Sequence, residues 1–120
     1  MADAKWNTDM ISAPRILGDS VIAEARGEFD LHNSPELRTA LLSMLGKTLP
    51  KRLILNLSQV PYIDSSALAV LVEALQKLRP SGGKVVLVGL QPRVQGLLEI
   101  ARLNTIFVIA ASEQQALALM

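Results

Sequence analysis

Residues 53–78 read LILNLSQVPYIDSSALAVLVEALQKL. The run Leu53-Ile54-Leu55-Asn56-Leu57 is short, apolar and bounded by turn-like residues, which predicts a buried strand. After the link Ser58-Gln59-Val60-Pro61-Tyr62-Ile63, Leu68, Leu71, Leu75 and Leu78 recur at helical spacing, and Ala67, Val70 and Ala74 widen the stripe. Asp64-Ser65-Ser66 lies at the handover. A carboxylate and two hydroxyls therefore meet a helix N-terminus, where free backbone N–H groups and the positive end of the helix dipole gather.

Downstream, Arg79-Pro80-Ser81-Gly82-Gly83 reads as a turn and residues 85–88 as a second buried strand. A strand–helix–strand unit of this length is a right-handed crossover between parallel strands. Gly89-Leu90-Gln91-Pro92 opens a further helix with Val94, Leu97, Leu98 and Ala101 facing inward. Ile106-Phe107-Val108 is the expected last strand. In Ser112-Glu113-Gln114-Gln115 the serine and the last glutamine form a capping box for a terminal helix.

Upstream, Arg15-Ile16-Leu17, a turn at Gly18-Asp19-Ser20 and an extended stretch over residues 21–26 suggest a hairpin. Ser34-Pro35-Glu36 has the form of a helix start, with a hydroxyl cap, proline at the first helical position and an acid in the first turn. Leu37, Ala40, Leu41, Met44 and Leu45 mark one face of that helix, which Gly46 ends. Residues 47–52 form a basic loop, and residues 1–14 are expected to be a flexible or irregular entry. The sum is one α/β domain over residues 15–120, with a mixed, mostly parallel sheet of about five strands and about four helices. Whether helices cover one sheet face or both is left open by the pattern.

At 120 residues, half of them hydrophobic, the chain can bury a core without staples. It has no cysteine, which excludes disulfides and thiol chemistry and fits a reducing, cytoplasmic setting. A net charge of +1 and four aromatics (Trp6, Phe29, Tyr62, Phe107) argue against nucleic acid as a partner. No apolar run reaches membrane-spanning length, and the first nine residues lack a signal peptide's apolar core.

Catalytic constellations are thin. Gly82-Gly83-Lys84 precedes a strand and has neither P-loop nor dinucleotide-binding spacing, so a hairpin-like turn explains it better. His32, the single histidine, could be assembled with Ser65 and Asp30 or Asp64 into a triad, but nothing resembling a nucleophile elbow surrounds the serine. Metal-ligand spacing is absent, and no cofactor is expected. For Asp64-Ser65-Ser66 the plainest explanation is helix capping by Asp or Ser, worth about 1 kcal/mol.

An ordered set of segments carries a resemblance. Gly27-Glu28-Phe29-Asp30, then Leu53-Ile54-Leu55-Asn56-Leu57-Ser58, then Ile63-Asp64-Ser65-Ser66-Ala67-Leu68 are followed by Gly82-Gly83, residues 85–88, Pro92-Arg93-Val94 and Ser112-Glu113-Gln114-Gln115-Ala116-Leu117. Together they resemble the STAS domain, the fold of bacterial anti-sigma factor antagonists and of sulfate-transporter tails. The resemblance implies a non-enzymatic switch. Ser65 would be phosphorylated by an anti-sigma factor serine kinase of the histidine-kinase-like ATPase type. The unphosphorylated form would bind that kinase and release a sigma factor, and a metal-dependent serine/threonine phosphatase would reset it. Asp64, Ser65, Ser66 and the first turns of the next helix, including Ala67 and Ala69, would form the contact surface, with Asp30 on the neighbouring loop. Alanines 67 and 69 replace glycines common in the family, and Arg102 replaces a glycine that commonly ends the third helix, so either Arg102 takes a left-handed conformation or Asn104 ends that helix. The alternative within the family is a module that does not switch, serving as a stress-signalling scaffold or a subunit of a lipid-transporting ABC complex. An enzyme or nucleotide-binding protein using the same corner is a third reading, which lacks a phosphate loop, a base and a metal site.

Overall fold

The expected alternation of strands and helices is present in the computed structural model, which describes residues 10–46 and 49–119. In chain order the elements are β1 (Arg15–Leu17), β2 (Ser20–Arg26), α1 (Ser34–Leu45), β3 (Arg52–Gln59), α2 (Ser65–Leu78), β4 (Lys84–Val88), α3 (Pro92–Ile100), β5 (Val108–Ala110) and α4 (Glu113–Ala118). The sheet runs β1-β2-β3-β4-β5, with β1 antiparallel to β2 and every other pair parallel.

Each parallel step moves to the next neighbour in one direction, so right-handed crossovers deliver α1, α2 and α3 to the same face. That face holds the main core, in which Leu53 and Leu55 of β3 meet Leu41 of α1, Leu71 and Leu75 of α2 and Leu98 of α3. The opposite face carries Ile22, Ile54, Val86, Val88 and Ala110 beneath Ala116 of α4. The uninterrupted run Leu53-Ile54-Leu55 follows from this, since a strand covered on both faces has no polar side. The α4 cover is fastened by polar contacts. Glu113 accepts from Arg15 at 2.7 Å and from Asn56 at 3.0 Å, and Arg52 donates to the carbonyls of Leu117 and Leu119 at 3.2 and 2.7 Å. The Arg15 and Asn56 donors hold the Glu113 carboxyl below its usual range.

Several boundaries differ from the sequence expectation. The glycines at 82 and 83 do not make a hairpin, because β3 and β4 are parallel. Instead a 3-10 turn over Arg79–Ser81 extends α2, and Gly82 closes it in a left-handed conformation, with Gly83 N–H bonded back to the Leu78 carbonyl at 2.9 Å. A Cβ on Gly83 would lie 2.9 Å from Leu78 Cβ, so this glycine is needed for close packing. Arg102 does take the left-handed conformation, at φ 61°, and ends α3 with bonds from its N–H to Glu99 O and from Leu103 N–H to Leu98 O. The added turn consumes residues 103–106, so the last strand begins at Val108 rather than Ile106, and Phe107 is a buried link residue. Ala101, expected to face inward, sits at that cap and is exposed.

The start of α1 also departs from expectation. Asn33 occupies the cap position and makes no side-chain cap bond, while Ser34 is already the first helical residue and is buried. Of the expected irregular entry, residues 1–9 lie outside the described residues. From Met10 the chain is tied to the sheet: Arg26 N–H reaches Met10 O at 2.8 Å, Ser12 N–H reaches Glu24 O at 2.9 Å, and Ile11 is buried opposite Ala25. Part of the basic loop, Lys47 and Thr48, also falls outside the described residues. At α4, Ser112 Oγ accepts from Gln115 N–H as expected, but Gln115 reaches back to Ala111 N–H rather than to Ser112. Among the described residues no helix is long and apolar enough to cross a membrane.

Candidate functional site

Loops leaving the carboxyl ends of parallel strands share one edge of the sheet, where open α/β sheets place their sites. Here the pairing of β2 with β3 continues beyond the strands. Gly27 N–H donates to Gln59 O at 3.0 Å, Phe29 N–H to Tyr62 O at 3.1 Å and Asp64 N–H to Phe29 O at 3.0 Å. Phe29 and Ile63 form an isolated parallel bridge and are both buried. Two apolar residues thus pin the loops side by side, and the residues that follow each of them, Asp30 and Asp64, are brought to one place.

Asp64 is the N-cap of α2. Its Oδ1 accepts from Ser66 N–H at 2.9 Å, Ala67 N–H at 3.1 Å and Ser66 Oγ at 2.6 Å. Its Oδ2 accepts from Leu31 N–H at 3.0 Å, across the two loops. One carboxylate therefore caps the helix and ties it to the loop before α1. The Ser66 hydroxyl, with the Ala67, Ser66 and Leu31 N–H groups, holds the Asp64 carboxyl below its ordinary value of 3.8, against an opposing effect of desolvation.

The loop itself is closed by polar side chains. Asn33 Oδ1 accepts from Asp30 N–H at 2.8 Å, and its Nδ2 donates to Glu28 O at 2.9 Å. Asp30 Oδ1 accepts from His32 N–H at 2.9 Å, while the Asp30 carbonyl takes the N–H groups of Asn33 and Ser34. Asp30, Leu31, His32 and Asp64 line an open depression at the surface.

Ser65 is exposed at the first turn of α2, and its hydroxyl makes no hydrogen bond among the described residues. Ser66 is part-buried and its hydroxyl is committed to Asp64. Ala69 is exposed on the next turn. Ala67 is the exception in the expected contact surface: it is fully buried, because it belongs to the inward stripe with Leu68 and Leu71, and so offers no area to a partner. Leu31 and Asn33 were not singled out by the sequence. The signal for Asn33 is present there, since Asp-x-x-Asn ahead of a helix suits side-chain-closed turns. Nothing in the sequence marks Leu31.

The loop after β4 reaches the same edge. Gln91 donates to Ser58 O at 2.9 Å, and the guanidinium of Arg93 lies 4.8 Å from the centroid of the Tyr62 ring. Gly89, at φ 69°, passes so near Ser58 that a Cβ would approach Ser58 Cβ to 2.9 Å. Of His32 only the backbone N–H is hydrogen-bonded, to Asp30, so the imidazole is not coupled to Ser65 in the manner of a triad. Among the described residues no three His, Cys, Asp or Glu side chains are grouped to hold a metal ion.

The STAS domain family model matches residues 10–116. The chain is 32% identical to BtrV of Bordetella bronchiseptica over 98 residues, covering 82% of this chain and 84% of the relative. It is 31% identical over 88 residues to the anti-sigma-B factor antagonist of Bacillus subtilis, covering 73% and 79%. The crystal structure of the Thermotoga maritima protein TM1081 superposes with a TM-score of 0.80 at 28% identity, over 88% of this chain and 90% of that one. With the family model spanning nearly the whole described fold, and the strand order and helix placement in accord, this chain belongs to the STAS domain family.

Proposed function

We propose that this chain is an anti-sigma factor antagonist switched by phosphorylation of Ser65. In its unphosphorylated form it binds an anti-sigma factor serine kinase of the histidine-kinase-like ATPase type and so releases a sigma factor. A metal-dependent serine/threonine phosphatase restores that form. The names of relatives such as the Bacillus subtilis anti-sigma-B factor antagonist support the general role. The observation that carries the specific reading is the contrast between two adjacent serines: the Ser65 hydroxyl is exposed and unbonded, whereas that of Ser66 is held by Asp64 at 2.6 Å. Only the first is free to enter a kinase active site without dismantling the helix cap.

The chemistry of the position suits a switch that leaves the fold intact. Phosphorylation adds about −1.5 to −2 charges at neutral pH. The N-terminal end of α2 partly compensates that charge. Asp64 alongside, held ionised by its donors, concentrates negative charge at one spot. A partner laying apolar surface over Ser65 would have to strip water from a dianion, and each 1.4 kcal/mol so lost is about tenfold in affinity. Binding fails while the domain stays as it was. Asp64, Ser65, Ser66 and Ala69 form the proposed contact surface, with Asp30 on the adjoining loop.

The test is titration of the wild-type chain, Ser65→Ala and Ser65→Asp against each kinase of this class encoded in the same genome, purified singly. Ser65→Ala is expected to bind as the wild type does, and Ser65→Asp about a hundredfold more weakly, a difference of roughly 2.7 kcal/mol, with melting temperatures within about 2 °C. Wild-type affinity in Ser65→Asp would overturn the reading.

A further inference from the structure

Large apolar side chains left exposed among the described residues include Ile16, Leu17, Leu31, Ile100 and Ile109. Of these, Leu31 is 76% exposed and lines the depression shared with Asp30, His32 and Asp64. A leucine on a loose loop could fold down and recover part of the apolar burial. This loop is not loose. Every N–H from Asp30 to Ser34 has an acceptor: Asn33 Oδ1, Asp64 Oδ2, Asp30 Oδ1, and the Asp30 carbonyl for the last two. The hydrogen bonds hold the backbone with the side chain turned outward. With the backbone fixed before binding, association costs only the rotamer freedom of the side chain and not the ordering of a loop, which favours an interface anchor.

The surroundings narrow the kind of surface that fits. The Asp30 carboxylate lies in the same depression and has spent one oxygen on the loop's own N–H. Covered by a wholly apolar surface it would be stranded without a counter-ion. A complementary partner therefore brings a basic side chain to Asp30 and apolar atoms to Leu31. The Leu31 N–H rests on the carboxylate of Asp64, the residue before Ser65, so anchor and modification site are joined through one residue. A phosphate on Ser65 would place its hydration shell against the apolar part of that contact.

We infer that Leu31 is the apolar anchor by which this chain docks on its anti-sigma factor, entering an apolar cleft on that protein flanked by a Lys or Arg that pairs with Asp30. This rests on the partner-switching reading above. Specificity among anti-sigma factors is then set in part at position 31, by the fit of one side chain into one cleft.

The experiment is binding kinetics of purified chain against the purified kinase that binds the wild type, comparing Leu31→Ala, Asp30→Asn, Ile100→Ala and Ser65→Asp. Leu31→Ala is expected to weaken binding at least about tenfold, mainly through faster dissociation, with an unchanged melting temperature. Asp30→Asn, which can keep the bond to His32 N–H, is expected to slow association several-fold and flatten its salt dependence. Ile100→Ala, the exposed-residue control, is expected to bind as the wild type does. Wild-type affinity in Leu31→Ala, together with loss of binding in Ser65→Asp, would overturn the anchor and leave the switch standing. If no kinase of this class binds the wild-type chain, the switch and the anchor both fall.

Discussion

At the scale of the residue, the site depends on how many groups one carboxylate can satisfy. Asp64 takes three donors on one oxygen and one on the other, joining α2 to the loop before α1. Asp64→Ala removes the helix cap and the tie to the Leu31 N–H, and is expected to lower stability by about 1–2 kcal/mol in denaturant unfolding. Asp64→Asn keeps an acceptor oxygen and is expected to lose less. Its effect should depend on pH. The folded-state value of Asp64 lies below the ordinary 3.8, so its contribution is present in full above that value and is lost as pH falls through the folded value. The acid limb of the stability curve should therefore be shallower in Asp64→Asn than in the wild type. An unchanged limb would mean that the carboxylate is not held by its donors in solution. The capping role was legible in the sequence, where Asp or Ser could have served. The partner across the loops was not, because residues 31 and 64 are brought together by pairing that continues past β2 and β3, including the bridge between Phe29 and Ile63.

Among the elements, α2 follows its sequence pattern closely: Leu68, Leu71, Leu75 and Leu78 with Ala67, Val70 and Ala74 are all buried. The stripe is wide because the helix packs on the sheet and α1 also adjoins it, with Arg38 and Glu73 joining the two helices through bonds of 2.8 and 2.7 Å. Helix ends were harder to place. Asn33 instead of Ser34 at the start of α1, and Arg102 at the end of α3, reflect where neighbouring carbonyls accept the free N–H groups, which depends on tertiary position as much as on residue type. The ambiguity also displaced the last strand. Within α3, Gly96 has no packing reason to lack a side chain, since a Cβ there would meet nothing within 4 Å. Gly96→Ala is expected to stabilise the domain by about 0.5–1 kcal/mol and raise its melting temperature by about 2–6 °C. A lower melting temperature would contradict the packing described for this helix.

For the whole molecule, sequential strand order with right-handed crossovers places three helices on one face and leaves the other to α4. The sequence left that layering open because Leu53-Ile54-Leu55 is apolar on both sides whichever layer covers it. The same topology puts the loops after β2, β3 and β4 at one edge of the sheet, with a main core of buried side chains behind them. The proposed switch needs a site so supported, one whose surface charge changes while the fold does not. It is tested most directly by intact mass and peptide mapping of the protein isolated from its own cells, before and after phosphatase treatment. The expected result is a phosphate on the peptide containing Ser65, absent from Ser66, removed by the phosphatase and varying with growth and stress. Protein carrying no phosphate on Ser65 under all of those conditions would contradict it.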